Sequence, residues 1–156
     1  MSEKHKNGGR APRLIAAVAS SQSNSYASFA EADAIVAKLD DLHVSEWWAL
    51  THAQKEYRLI LSACVFDAKR HSGIKATKAQ RLDFPRLHPG HPLYIVDETG
   101  NPMSLSTWET LEDYAALKGV TDLPSIPLDV KRAQVEAAFR LCSPIMPKQR
   151  REDMLL

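Results

Sequence analysis

Asn24-Ser25-Tyr26-Ala27-Ser28-Phe29-Ala30-Glu31-Ala32-Asp33-Ala34 writes the start of a helix into this chain. Ser28 with Glu31 three residues on is a capping box. The hydroxyl accepts a free first-turn amide, and the carboxylate reaches back to the cap's own amide. Behind the cap, Phe29, Ala32, Val36 and Leu39 share one face, which predicts a helix over 29–39, ended by Asp40-Asp41. Thr51 with Gln54 is a second capping box and Ser106 with Glu109 a third. The second opens a helix expected over 52–70. Its apolar stripe is Tyr57, Ile60, Leu61, Cys64, Val65 and Ala68, with Lys55, Arg58, Ser62 and Lys69 mostly on the other side, and Gly73 breaks the pattern. The third opens a helix near 107–118 that ends at Gly119.

The remaining segments fill in around these starts. Residues 14–19 read as an extended strand and 20–25 as a polar loop. Trp47-Trp48 falls in a short helical turn, with one of the two as a core plug over the first two helices. Residues 74–92 form a basic connection with one short helix near 77–82, kept irregular elsewhere by Pro85, Pro89 and Pro92. Leu93 to Val96 is a strand candidate, 97–102 a turn, and Met103-Ser104-Leu105 a short return strand. Pro124 and Pro127 precede a last helix over 127–142, which Pro144 and Pro147 stop. The expected class is mainly α: a small helical bundle with a short β-hairpin insertion and extended N- and C-terminal arms. The expected divisions are an arm at 1–23, a helical domain at 24–143 with an insertion at 88–123, and a tail at 144–156.

At 156 residues the chain fits one domain, and a body of that size buries a core without disulfides or metal. Charge is nearly balanced, with 20 basic and 19 acidic residues, so the chain as a whole is not a general polyanion binder. No apolar run approaches the ~20 residues that span a bilayer. The run 14–19 after basic residues is too short for a secretory signal. Cys64 and Cys142 lack a nearby partner and sit on apolar helical faces, which points to buried thiols in a reducing compartment.

The last helix has two apolar faces. Leu128, Val135, Phe139 and Cys142 lie on one side, and Val130, Ala133, Ala137 and Leu141 roughly opposite. Such a helix either runs through the centre of the fold or presents one face to another subunit. His88 and His91 form an H-x-x-H pair, but no further ligand stands nearby in sequence to complete a zinc site. Glu112-Asp113 and Asp40-Asp41 are adjacent and point about 100° apart on a helix, so they do not converge on one bond. With no nucleophile elbow, phosphate loop or dinucleotide fingerprint, the reading is of a non-enzyme with no catalytic residue, no metal and no cofactor. A denser basic run, Lys69, Arg70, Lys75, Lys78, Arg81 and Arg86, is opposed only by Asp83 and is a candidate phosphate contact. Only Phe84 interleaves it, which is thin for a stacking platform.

Four motifs stand in order: Asn24-Ser25-Tyr26 leading into Ala30-Glu31-Ala32-Asp33-Ala34; Trp48-Ala49-Leu50-Thr51 with Lys55-Glu56; Gln80-Arg81-Leu82-Asp83-Phe84-Pro85-Arg86; and Ile126-Pro127 opening Val130 to Glu136. This order resembles the head–tail connector (adaptor, head-completion) proteins of tailed bacteriophages. Many of these carry the label "DnaT-like single-stranded-DNA-binding protein". The resemblance covers roughly 24–87 and 124–142. It departs at Ile35 and Phe84, where other aromatics are common, and at 88–123.

The resemblance implies a structural virion protein, made in the bacterial cytoplasm and placed in the neck. It would form a ring of roughly twelve copies between portal and tail, extending the channel for duplex DNA. On that reading Val130, Ala133, Ala137 and Leu141 are subunit-interface candidates. Met146, Lys148, Arg150, Arg151, Met154, Leu155 and Leu156 are portal-docking candidates. Lys75, Lys78, Arg81 and Arg86 are channel or DNA contacts. The alternative is a single-stranded-DNA-binding replication accessory protein, and a third reading is a hydrolase using His88 and His91 as metal ligands.

Overall fold

The structure is a computed structural model and describes residues 13–141. Among them run α1 (Phe29–Ala37), α2 (Val44–Trp48), α3 (His52–Asp67), β1 (Ile74–Lys75), β2 (Arg86–Leu87), β3 (Ile95–Val96), β4 (Pro102–Met103), α4 (Trp108–Lys118) and α5 (Leu128–Arg140). None of these helices is long and apolar enough to cross a membrane.

The larger core lies where α5 packs on α3 and α1. Ala32 and Val36 from α1, Trp47 from α2, Leu59 from α3, and Val135, Ala138 and Phe139 from α5 close it, together with Ala27 from the segment just before α1. Both early capping boxes form as the sequence predicts. The Ser28 hydroxyl accepts from the Glu31 amide at 3.1 Å, and Glu31 accepts from the Ser28 amide at 3.0 Å. Thr51 and Gln54 do the same. Trp47 is the core plug and Trp48 is 47 % exposed. The Trp47 indole N–H donates to Asp33 Oδ1 at 2.9 Å, and Lys55 Nζ reaches the same oxygen at 3.0 Å. That ammonium also lies over both indole rings.

A second core is built differently. Ala76, Leu87, Leu93, Leu111 and Ala115 are buried together, flanked by Ile74, Tyr94, Leu105, Trp108 and Tyr114. The helix α4 thus lies over ribbons and loops. Two short antiparallel pairs serve this region, Ile74 opposite Leu87 and Ile95 opposite Met103. The fold is therefore a small mixed α/β protein, which corrects the expectation of a mainly α bundle. The cause is the stretch from 68 to 107. Its prolines and glycines withhold helix, so its buried amides are satisfied by ladder pairs and loop hydrogen bonds instead.

Local differences have equally specific causes. The expected strand at 14–19 does not form. The Asn24 side chain bonds the Ile15 amide and the Arg13 carbonyl, both at 2.7 Å, and so occupies the place a partner strand would take. The third cap shifts by one residue: Thr107 accepts from the Thr110 amide at 3.1 Å, while Gly119 ends α4 at φ 71° as expected. The α3 stripe is also reversed. Leu59, Ser62 and Ala63 are buried, whereas Tyr57, Leu61, Cys64, Val65 and Ala68 face outward. Cys64 is exposed, not a buried thiol, and Cys142 lies outside the described residues.

Candidate nucleic-acid interface

The loop carrying the basic run is anchored by a reciprocal side-chain bond pair. In Thr77-Lys78-Ala79-Gln80 the Gln80 amide donates to Thr77 Oγ1 at 3.2 Å, and the Thr77 amide donates to Gln80 Oε1 at 2.9 Å. This is capping-box chemistry, yet the short helix expected over 77–82 does not follow. Gln80 Nε2 instead donates onward to the carbonyls of Leu82 (2.9 Å) and Pro85 (3.0 Å), closing the chain into a tight loop. Pro85 follows a cis peptide bond, and Gln80 is only 3 % exposed. Main-chain bonds from Lys78 to Leu105 and from Arg81 to Ser20 tie the loop to both neighbours.

Beneath the loop, the sequence motifs meet one another. The Tyr26 hydroxyl donates to Asp67 Oδ1 and accepts from the Phe84 amide at 3.2 Å, while the Asp83 amide donates to Asp67 Oδ2 at 3.1 Å. The Tyr26 ring stands edge-on to Phe66 and Phe84. Burial, helped by the Asp67 carboxylate, pushes the Tyr26 phenol far up. Burial also raises Asp67, with the Asp83 charge adding to it and the bonds from Tyr26 and the Asp83 amide opposing it. On the far side of Tyr26, Gln134 of α5 joins the same network. Its Oε1 accepts from the Tyr26 and Ala27 amides, both at 3.0 Å, and its Nε2 donates to Ser25 Oγ (2.7 Å) and to the Leu59 carbonyl (2.9 Å). Three of the four motifs therefore converge on one buried polar junction, and the fourth packs on α1 through Asp33. Sequence reasoning missed Gln134 and Asp67, because a lone polar residue on a helix carries no periodic signal.

On this base the cations divide. Lys78 and Arg81 are exposed and Lys75 half-buried, and the side chains of all three are without a hydrogen bond or ion pair among the described residues. Lys69 and Arg70, just beyond α3, are likewise exposed and unpaired. Arg86 differs. Its guanidinium donates to the carbonyls of Ser72 (2.8 Å), Gly73 (2.7 Å), His71 (3.4 Å) and Asp83 (3.3 Å), and its side chain is 12 % exposed. Arg86 is thus a clasp of the loop and not a free contact. Phe84 packs inward against Tyr26, Phe66 and His71, so the loop presents charge without an aromatic platform.

The other sequence candidates separate. Val130 is 7 % exposed and packs with Tyr26 and Leu82, which makes it core rather than interface. Ala133 and Ala137 are exposed on α5, and Leu141 is exposed at its C-cap. The face expected to hold Leu128, Val135 and Phe139 together loses Leu128, which is 54 % exposed. Met146, Lys148, Arg150, Arg151, Met154, Leu155 and Leu156 lie outside the described residues. His88 and His91 do not converge: His88 meets Ser72 Oγ at 3.1 Å, and His91 faces Asp122 at 3.8 Å.

Comparison with known proteins gives no match among curated proteins or solved structures. A family model described as "Putative DnaT-like ssDNA binding protein" matches residues 17–99. The match is to that family and not to a head–tail connector family, so the connector reading is corrected. With it go the ring, the portal and tail partners, the duplex channel and the virion role. The physical reason lies in the motifs themselves. Tyr26, Gln80 and Gln134 are spent on the interior of one chain, and their order in sequence reports how this fold is held together, not what it assembles with. Since the matched span exceeds half of the 156 residues, the chain belongs to this family of DnaT-like proteins.

Proposed function

We propose that the chain binds single-stranded DNA through the basic loop between α3 and α4, and catalyses no reaction on it. The observation that carries this reading is family membership over residues 17–99, a span that contains every cation of the basic run from Lys69 to Arg86. The geometry of the loop supports it. Lys75, Lys78 and Arg81 are unpaired cations on a backbone held by Gln80 and clasped by Arg86, with Lys69 and Arg70 adjoining in sequence. A rigid base lowers the ordering cost of binding. With Phe84 turned inward, contact is chiefly to phosphates, which gives strong salt dependence and little base preference.

The test is fluorescence anisotropy with labelled oligo-dT and a matched duplex between ~50 and ~200 mM salt. Oligo-dT is expected to bind more tightly than duplex. Each single-strand phosphate neutralised adds about 0.7 to the slope of log K against log salt. The triple variant Lys75→Gln, Lys78→Gln, Arg81→Gln should therefore flatten that slope by roughly 2. No oligo-dT binding at low salt, tighter binding to duplex, or an unchanged slope in the variant refutes the assignment.

A further inference from the structure

We propose that Asp67, His71 and Asp83 form a binding site for one divalent transition-metal ion of the Zn2+ class. The three come from separate segments: the last turn of α3, the turn after it, and the loop string Gln80–Arg86. One ligand atom from each lies within 4.8 Å of the other two, and all three residues are partly buried. Two of the ligands are already fixed by groups behind them. Asp67 is held by the Tyr26 hydroxyl on one oxygen and by the Asp83 amide on the other, and each oxygen keeps a lone pair.

The His71 ring is stacked on Phe66 at 4.7 Å and edge-on to Phe84 at 5.0 Å. Its Nε2 meets the Phe66 carbonyl at 3.1 Å. A carbonyl only accepts, so Nε2 carries a proton, and in the neutral ring Nδ1 is the nitrogen with the lone pair. A backbone carbonyl fixing the tautomer is the usual support behind a metal-bound imidazole.

Charge points the same way. Two carboxylates are drawn together at the end of α3, and the one cation paired with them among the described residues, Arg86, stands at a long 4.0 Å from Asp83 and directs four of its five N–H groups to carbonyls. A dication among the three side chains neutralises both carboxylates. An imidazole with two carboxylates favours Zn2+ over Mg2+, and three protein ligands leave a position for water. Bound there, the ion ties the end of α3 to the basic loop. The spacing D-x3-H-x11-D matches no metal signature, which is why the sequence draws attention to His88 and His91 instead.

Isothermal titration of the full, chelator-stripped chain with Zn2+, beside thermal unfolding with Zn2+ or Mg2+, tests the site. One Zn2+ per chain is expected, with a rise in Tm that Mg2+ does not match. Asp83→Asn keeps the amide that holds Asp67, and His71→Phe keeps the ring stack. Each should remain folded by circular dichroism and bind Zn2+ at least tenfold more weakly. Absence of saturable Zn2+ uptake by the wild-type chain overturns the proposal. Equal affinity in both variants, or equal affinity for Mg2+, overturns it as well.

Discussion

Replacing Gln134 by Met is the sharpest probe of how this chain is held together. Gln134 is fully buried and makes four hydrogen bonds to two segments remote in sequence, Ser25 to Ala27 and Leu59 of α3. Methionine has nearly the same volume and flexibility, so the packing loss is small. What changes is the polar balance. The Leu59 carbonyl still accepts from Ser62 Oγ at 3.0 Å, and Ser25 Oγ still donates to the Ala27 carbonyl at 2.7 Å. The Tyr26 and Ala27 amides lose their acceptor. Each buried orphan costs about 1–3 kcal/mol, partly offset because no side-chain amide has to be desolvated. The expected destabilisation is about 2–4 kcal/mol, a large share of the ~5–15 kcal/mol that holds a domain of this kind. Urea unfolding followed by circular dichroism measures it as a lower midpoint at unchanged slope. Glu at the same position adds a direction. Its second oxygen would face the Leu59 carbonyl, so Gln134→Glu should be worst at neutral pH and recover partly in acid, where a protonated carboxyl donates again. A Gln134→Met variant within about 0.5 kcal/mol of wild type would show that the junction is not a clamp.

Two further outcomes follow from single positions. Gly73 sits at φ 82°, and a Cβ there would stand 2.5 Å from the Leu87 carbonyl oxygen, so Gly73→Ala should cost at least ~2 kcal/mol in chemical unfolding; a loss near zero would mean the β1–β2 ribbon yields freely. Burial alone would raise the Glu31 carboxyl, but the Lys131 ammonium and the Ser28 hydrogen bonds outweigh it and hold the carboxyl below its ordinary value. The folded state thus favours the charged form, giving stability that is present above the unfolded-state value and lost as pH falls through the folded one. The side chain is 42 % exposed, so Glu31→Gln should lower stability by under ~1 kcal/mol at pH 7. That gap should close below the carboxylate range, and a Tm difference that stays constant across the acid range would contradict the ion pair's role.

Sequence legibility followed the locality of each interaction. The boxes at Ser28 and Thr51 and the stop at Gly119 were readable because their partners lie within a turn. The box at Ser106 was displaced by one residue, since neighbouring Thr107 finds the same chemistry in Thr110. The stripe on α3 misled for a different reason. Helical spacing shows that apolar residues share a face, but not that the face is inward. Here Gln134 draws the Leu59 side of α3 toward α5 and leaves Tyr57, Leu61 and Val65 outside. The basic loop was found by composition, yet Arg86 was miscounted among its free charges, because its four carbonyl partners are gathered only by the fold.

What the sequence determined by itself is therefore the place of the five helices that form among the described residues, the caps at Ser28 and Thr51, the stop at Gly119 and the order of motifs, though not the absence of the helix expected at 77–82. All are set by contacts within a few residues. Only the tertiary structure decided the mixed α/β class, which face of α3 is buried, the junction of Tyr26, Asp67 and Gln134, and the meeting of Asp67, His71 and Asp83. Those features pair groups far apart along the chain. No local spacing encodes which of several chemically suitable partners a buried amide or carboxylate will meet once the helices have packed.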